Sequence, residues 1–347
     1  MKDQIIQQYR LTELAAQNGF YEIWTGMNNL GQRANVKLLK TEFMSNPRVR
    51  EEFKREAKQA AAFSHPGIAR ILGLEETIDT LAIIRENSDG VSLKTQLKQA
   101  GAFSEKEAIG LIGLMIQALD YIHSSGYVVG NLNYENILYT PGNMLRMYEF
   151  ARDTSEVLGF ATNISSYGPE AISFKSPEQL QSLELNSIRS DLYSLGMVLY
   201  VMMRGKAPFN PLEQPLSNIY RDITSGNLPE IQVSAPVRTF LSRMLHANAD
   251  MRFQSTREAL AAWNELQGVS GSAVPAFAPV MPQVTVPAGA QKSCVNPRCG
   301  KPMPVNAKFC GSCGTKWKEL NLIPCPHCRT EIPSDSDYCP YCENSIS

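Results

Sequence analysis

Three short apolar runs open the chain. Ile23–Trp24, Ala34 to Leu39 and Leu81 to Ile84 each have the length of a strand and are flanked by polar residues. Between the second and third, Pro47 to Phe63 is charged on one face and apolar on the other, which predicts a helix. From Ser104 onward helical spacing takes over, with helices predicted over 104–124, 191–204 and 235–245. Ser104 stands three residues before Glu107, the pattern of a capping box at a helix start. The pattern is therefore a strand-rich part followed by a helical part.

The periodicity stops at Gly268. Residues 268–290 are rich in Pro, Ala, Val, Gly and Ser, and Pro275, Pro279, Pro282 and Pro287 forbid a continuous helix or a central strand. An extended, mobile linker is expected; the alternative is a strap packed on the preceding domain through Phe277, Val280 and Met281. Beyond it lie all eight cysteines, in two copies of one pattern: Cys294-x4-Cys299-x10-Cys310-x2-Cys313, then Cys325-x2-Cys328-x10-Cys339-x2-Cys342. Phe309 and Tyr338 precede the third cysteine of each copy, and Pro304 and Pro333 fall six residues before it. A tight Cys-x2-Cys turn presents two thiolates, and two such turns complete a tetrahedral site suited to Zn2+. The expectation is one structural zinc per copy, with His327 an exposed neighbour because each cysteine set is already complete.

Composition narrows the partners. The formal net charge of −1 gives no global field toward nucleic acid or an anionic membrane. The residues after the linker carry a small basic surplus, which two Zn(Cys)4 centres of formal charge about −2 would reverse. Nucleic acid is therefore not expected, and protein contact is, with Trp317, Tyr338 and Tyr341 as candidate anchors. Packing inside the ribbons is an equal alternative for Tyr338. The polar segment Met1 to Arg10 lacks the apolar stretch of a signal peptide, and Leu195 to Met203 is too short to span a bilayer. A cytoplasmic protein without membrane attachment is expected, in a reducing compartment that keeps thiols free for metal.

The first part of the chain carries an ordered series of motifs. They are Ala34-Asn35-Val36-Lys37, Arg55-Glu56-Ala57, Ser64-His65-Pro66-Gly67-Ile68, Tyr121-Ile122-His123, Asn131-Leu132-Asn133-Tyr134-Glu135-Asn136, Glu149-Phe150-Ala151, Ser176-Pro177-Glu178, Asp191 within Ser190 to Gly196, Pro208-Phe209 and Arg252. In this order they resemble the bacterial branch of the eukaryotic-type Ser/Thr protein kinases. The resemblance implies an α+β, bilobal kinase-like fold over 9–267; composition places the linker over 268–291, and the cysteine repeat resembles a double zinc ribbon, expected over 292–347 with ribbons at 294–313 and 325–342. It also implies roles. Lys37 would bind phosphate with Glu56 as its partner, Glu86 would open the hinge, Asn136 and Glu149 would lie on the metal side, and Glu178, Asp191 and Arg252 would hold the fold.

Against the family pattern, the reactive positions are altered. The three glycines of the phosphate loop fall at Ala16, Asn18 and Tyr21, leaving only the neighbouring Gly19, so side chains should fill space reserved for phosphate. The aspartate that accepts the substrate proton becomes Asn131, which removes a contribution of about 10²–10⁴. The lysine two residues on becomes Asn133, the threonine of the peptide-binding segment becomes Ala171, and the metal-binding aspartate becomes Glu149, one methylene longer. Asn35 replaces the small residue that roofs the adenine. Arg85 stands at the gatekeeper position behind the adenine, where a buried guanidinium needs partners, and Glu56 and Glu149 are the candidates. A one-residue register shift would instead leave Arg85 in solvent.

The reading is a pseudokinase that acts as a protein-binding, regulatory scaffold in signalling, with weak or no binding of ATP and Mg2+. The alternatives are a divergent active Ser/Thr kinase and an ATP sensor without phosphotransfer. The cysteine pattern predicts about two zinc per chain by elemental analysis, falling to about one in Cys310→Ser. Metal-free protein, or disulfides in protein kept reduced, would contradict it.

Overall fold

The computed structural model describes residues 2–149, 169–182 and 185–268, with four short strands in the tail at 291–293, 302–304, 322–324 and 331–333. Residues 269–290 of the predicted linker and all eight cysteines lie outside the described residues, as does Phe150-Ala151.

The N-terminal part is a six-stranded antiparallel sheet in the order β1-β2-β3-β4-β6-β5. Its strands are β1 (Ile5–Ile6), β2 (Tyr9–Gln17), β3 (Tyr21–Met27), β4 (Arg33–Leu39), β5 (Ile71–Glu76) and β6 (Leu81–Glu86). The sheet thus begins ahead of the expected boundary at Tyr9. Two residues are too few to show alternation, yet Ile6 is buried beside Tyr9 and Leu11. In the β4–β6 register Asn35 faces Arg85 and Lys37 faces Ile83. Side chains alternate along a strand, so these four share one face. Ala34, Val36, Leu38, Ala82 and Ile84 take the other and close an apolar cluster with Ile6, Tyr9 and Leu11.

Helix α1 (Pro47–Ala60) covers the Lys37 face. Pro47 sits at its first turn and the Asn46 side chain accepts from the amides of Arg48 and Val49. Val49, Phe53 and Ala57 pack against Leu39, Leu81 and Ile83, and Glu56 points to the same side. The helix ends three residues before the expected Phe63. Phe63 stays buried, against the rings of Tyr121 and Tyr127, so the apolar period outlasts the helical backbone.

The second part is helical, as the spacing predicted. It contains α2 (Leu93–Ala100), α3 (Glu105–Ser124), α4 (Pro177–Gln181), α5 (Ile188–Arg204), α6 (Leu216–Ser225), α7 (Ala235–Met244) and α8 (Thr256–Leu266), with a small sheet of β7 (Val91–Ser92), β8 (Ile137–Thr140) and β9 (Met144–Met147). Ser104 and Glu107 form the capping box of α3. Helix α5 starts three residues before Asp191, at a second box between Ser187 and Ser190, and is buried along nearly its whole length. The tail strands form two antiparallel pairs, 291–293 with 302–304 and 322–324 with 331–333. No described helix is long and apolar enough to cross a membrane.

Helix α8 packs on α3 through Trp263, whose indole N–H donates to the Ile109 carbonyl at 2.9 Å. Gly113 lets the ring approach; a Cβ there would fall 2.2 Å from it. Gly113→Ala would gain about 1 kcal/mol of helix propensity and lose about 1–3 kcal/mol to overpacking, because the hydrogen bond prevents the ring from moving. The expected net loss is measured by urea unfolding; Gly110→Ala, at a position with open space around it, should be neutral or stabilising.

Candidate functional site: a closed ion network in the cleft

Four charged side chains meet between the sheet, α1 and the segment after β9. Lys37 Nζ lies 3.0 Å from Glu56 Oε2 and 3.1 Å from Glu149 Oε1. Arg85 Nη1 donates to Glu149 Oε1 at 3.2 Å, and Nη2 donates to Glu56 Oε1. None of the four side chains is more than 3 % exposed, so water does not compete for these contacts. The register of β6 is therefore the one that points Arg85 inward. Its guanidinium also lies over the Tyr148 ring, with the central carbon 4.8 Å from the centroid. Arg85 Nε makes no hydrogen bond among the described residues.

The electrostatics follow from burial and proximity. Burial alone would raise the Glu149 pKa, but Lys37 and Arg85, with a hydrogen bond from the Tyr21 hydroxyl, outweigh it and hold the carboxyl at about 2. Burial alone would discharge Arg85, and Glu56 and Glu149 reverse that and push its pKa above the ordinary value. Tyr148 is pushed up to about 12, chiefly by burial. Two cations and two anions leave the cluster formally neutral.

Tyr21, expected at the third glycine position, places its ring over Lys37. Its hydroxyl donates to Glu149 Oε2 at 2.9 Å, and Lys37 Nζ sits 4.1 Å from its ring centroid. Asn18 shapes the turn that aims it: its side-chain oxygen accepts from the amides of Phe20 and Tyr21. Gly19 has open space around it, and Ala16 is exposed on β2.

The residues expected to form the catalytic loop, 129–136, are held by hydrogen bonds to Asp191 and to one another. Asp191 accepts from the amides of Val129 and Gly130 at 2.8 and 2.7 Å and contacts His123 Nε2 at 2.8 Å. Gly130 takes a left-handed φ of +74°, which a side chain would disfavour, and its Cα faces the Asn186 amide. Asn131, Asn133 and Asn136 are all buried. Asn136 donates to the Asn131 carbonyl and accepts from the Asn133 amide, while Asn133 Oδ1 accepts from the amides of Glu135 and Asn136. Glu178 binds Arg252 through two bonds of 2.7 and 2.9 Å, and Arg252 also donates to three backbone carbonyls around it, away from the cleft.

Several contributors were not visible in the sequence reading. Lys175 donates to Asn131 Oδ1 at 3.3 Å. Lys94 bridges Glu135 at 2.6 Å and Glu170 at 3.1 Å, and the Tyr134 hydroxyl binds Glu170 as well. Arg146 anchors Glu86 and donates to the Ile68 carbonyl and Ser88. An isolated Lys or Arg carries no spacing signal; only the fold brings these to their acceptors. Ala171 is buried in the turn before α4. Among the described residues no cluster of His, Cys, Asp and Glu is arranged to hold a metal ion.

Comparison with known proteins agrees with this geometry. Residues 19–263 match the protein kinase domain family, and residues 296–343 match the double zinc ribbon family. The chain belongs to the protein kinase domain family, followed by a double zinc ribbon. It is similar to the serine/threonine-protein kinase PknA of Mycobacterium tuberculosis, 33 % identical over 218 residues, or 58 % of this chain and 48 % of that one. PknA of Mycobacterium bovis matches to the same extent. The serine/threonine-protein kinase PknB of Mycobacterium tuberculosis is 29 % identical over 263 residues, 72 % of this chain and 41 % of that one. The chain thus spans about half the length of the curated relatives it matches. The ribbon match begins two residues after Cys294. The described tail strands fit a ribbon: in each half the first cysteine directly follows one strand, and the second falls in the connection to its partner.

Removing Arg85 would leave two buried carboxylates sharing one lysine. Arg85→Ala is expected to cost about 3–5 kcal/mol, or about 6–20 °C in melting temperature for a domain of this size. The Glu149 carboxyl titrates lower in the folded state than unfolded, so its stabilisation is complete above about pH 4.5 and lost as pH falls from there toward 2. Melts between pH 6 and pH 3 should show a smaller acid loss in Arg85→Met, beginning at the same pH but levelling off at a higher one, because removing one of the two cations raises the folded-state pKa of Glu149 toward its unfolded value.

Proposed function

We propose that the kinase domain is a pseudokinase, a protein-binding scaffold whose nucleotide site is filled from within. The observation that carries this reading is the closed network of Lys37, Glu56, Arg85 and Glu149. Phosphoryl transfer needs surplus positive charge and a carboxylate available to Mg2+. Here Arg85 neutralises Glu149 as a metal ion would, and both cations are already paired. Mg2+ at Glu149 would have to break buried ion pairs, at about 3–5 kcal/mol. That is roughly two to four orders of magnitude in Kd, enough to abolish a millimolar-to-micromolar affinity. Tyr21 stands where phosphate would lie, and Asn131 has no basic group to take up a proton.

The zinc ribbons are a second contact module in this reading, one Zn2+ in each. Cys294, Cys299, Cys310 and Cys313 would hold the first ion and Cys325, Cys328, Cys339 and Cys342 the second. The metal would supply the folding free energy that so small a module lacks in apolar core. Two modules on one linker give bivalent attachment to a protein partner.

One observation favours the rival reading of an active Ser/Thr kinase: the Lys37–Glu56 pair is intact, and the named relatives are kinases. Labelled ATP with Mg2+ and generic protein substrates separates the two. No incorporation above background is expected, and millimolar ATP with Mg2+ should raise the melting temperature by less than about 1 °C. Incorporation that disappears in Lys37→Ala, or a metal-dependent rise of several degrees, would overturn the proposal.

A further inference from the structure

A cavity lies in the helical part of the domain, lined by none of the residues of the ion network. It has a volume of about 450 Å3 and is walled by α5, α7 and the segment that follows α6. Its floor is apolar, made by Tyr200, Leu228, Ile231, Val233, Leu241 and Leu245. Tyr200, Leu241 and Leu245 are buried, and the Tyr200 hydroxyl is satisfied by the Pro229 carbonyl at 2.5 Å. Charged and polar side chains, Glu230, Arg238 and His246 among them, stand only at the rim. The shape suits uncharged apolar side chains rather than a charged ligand.

The route of the chain indicates what enters it. Helices α3 and α8 run antiparallel: Thr256 Oγ1 meets His123, Arg257 lies 3.9 Å from Asp120, and Trp263 reaches back to Ile109. The end of α8 therefore lies toward the start of α3. There the Glu105 carboxylate accepts from the amide and hydroxyl of Ser234 at 2.6 and 2.7 Å. Ser234 is the N-cap of α7, and its neighbour Val233 lines the cavity. The chain thus leaves the kinase domain at the end of the fold that carries the cavity mouth.

The next residues have the composition the cavity calls for. From Gly268 to Gln291 there is no ionisable side chain, and Val274-Pro-Ala-Phe277-Ala-Pro-Val280-Met281-Pro282 is apolar throughout. Phe277 is nine residues beyond Gly268, a reach of up to about 30 Å when extended. A tethered segment meets its site at an effective concentration of about millimolar, so even modest apolar burial suffices to hold it.

We propose that this cavity is an internal docking site for the linker segment Val274 to Pro282, with Phe277, Val280 and Met281 as its inserted side chains. Docking fixes where the zinc ribbons emerge from the kinase domain. The inference is independent of whether the domain binds nucleotide.

The test uses the full chain with a photo-crosslinking benzoylphenylalanine at position 277. The expected product is an intramolecular cross-link to tryptic peptides 190–204, 222–238, 239–243 or 244–252, at the same yield after tenfold dilution. Placing the probe at Thr285, outside the apolar run, should lower the yield at least tenfold. Ser242→Trp, at an exposed position on the rim, fills the mouth without burying a charge, and should abolish the Phe277 cross-link while leaving the melting curve unchanged. Cross-links confined to other surfaces of the domain, cross-links only between chains, no cross-link, or a yield insensitive to Ser242→Trp would each overturn the proposal.

Discussion

A guanidinium buried in the face of a sheet is the constraint from which the cleft is built. Arg85, fully buried one residue from the end of β6, has no route to water, so its charge must be met by carboxylates from other elements. One comes from α1 and the other from the segment after β9. This requirement fixes how α1 sits on the sheet and draws the C-terminal end of β9 against the N-terminal part. Lys37, brought to the same face by the β4–β6 register, shares both carboxylates. The four groups are coupled, so the loss of any one leaves an uncompensated charge among the other three.

The same chain keeps the parts of the fold that need no reactive chemistry. Asp191 still gathers the two amides of the loop and His123, and Glu178 still holds Arg252. These are hydrogen-bonding tasks satisfied within the protein. On the pseudokinase reading, amides have taken over similar work at the reactive positions. Asn133 and Asn136 spend their donors and acceptors on the backbone of their own loop, which keeps its shape without a charged group. A carboxylate or ammonium at 131 or 133 would have to be held in this buried setting against a desolvation cost, and the amide avoids that cost.

Motif order made the fold legible in the sequence, because the motifs mark elements rather than contacts. The strand periods placed β3, β4 and β6, and the capping box placed α3. Helix ends were less legible: Phe63 kept the apolar spacing after the backbone had left the helix, and Ser187 capped α5 a turn before Asp191. The two-residue β1 gave no periodic signal at all. In the site, Arg85 with Glu56 and Glu149 could be read from position alone, because a buried cation limits the possible partners. Tyr21 was legible as a side chain where glycine belongs, but not its hydrogen bond to Glu149. Lys175, Lys94 and Arg146 stand alone in sequence, and their partners are set by chain crossings that no local pattern encodes.

Charge neutrality in the cleft has a consequence for the outer surface, on the reading that the site holds no nucleotide. A kinase domain that needs ATP and metal to complete its cleft changes the relation of its two parts when ligand arrives. Here the contacts that join them are internal: Arg85 and Tyr21 reach Glu149 from the sheet, and Arg146 reaches Glu86 and the Ile68 carbonyl from β9. With no differential binding of a ligand to two states, no population shift can follow from nucleotide concentration. The surface offered to a partner would therefore be constant. Control would have to act elsewhere, through the partner, through the metal-dependent tail, or through the chain that joins the tail to the domain.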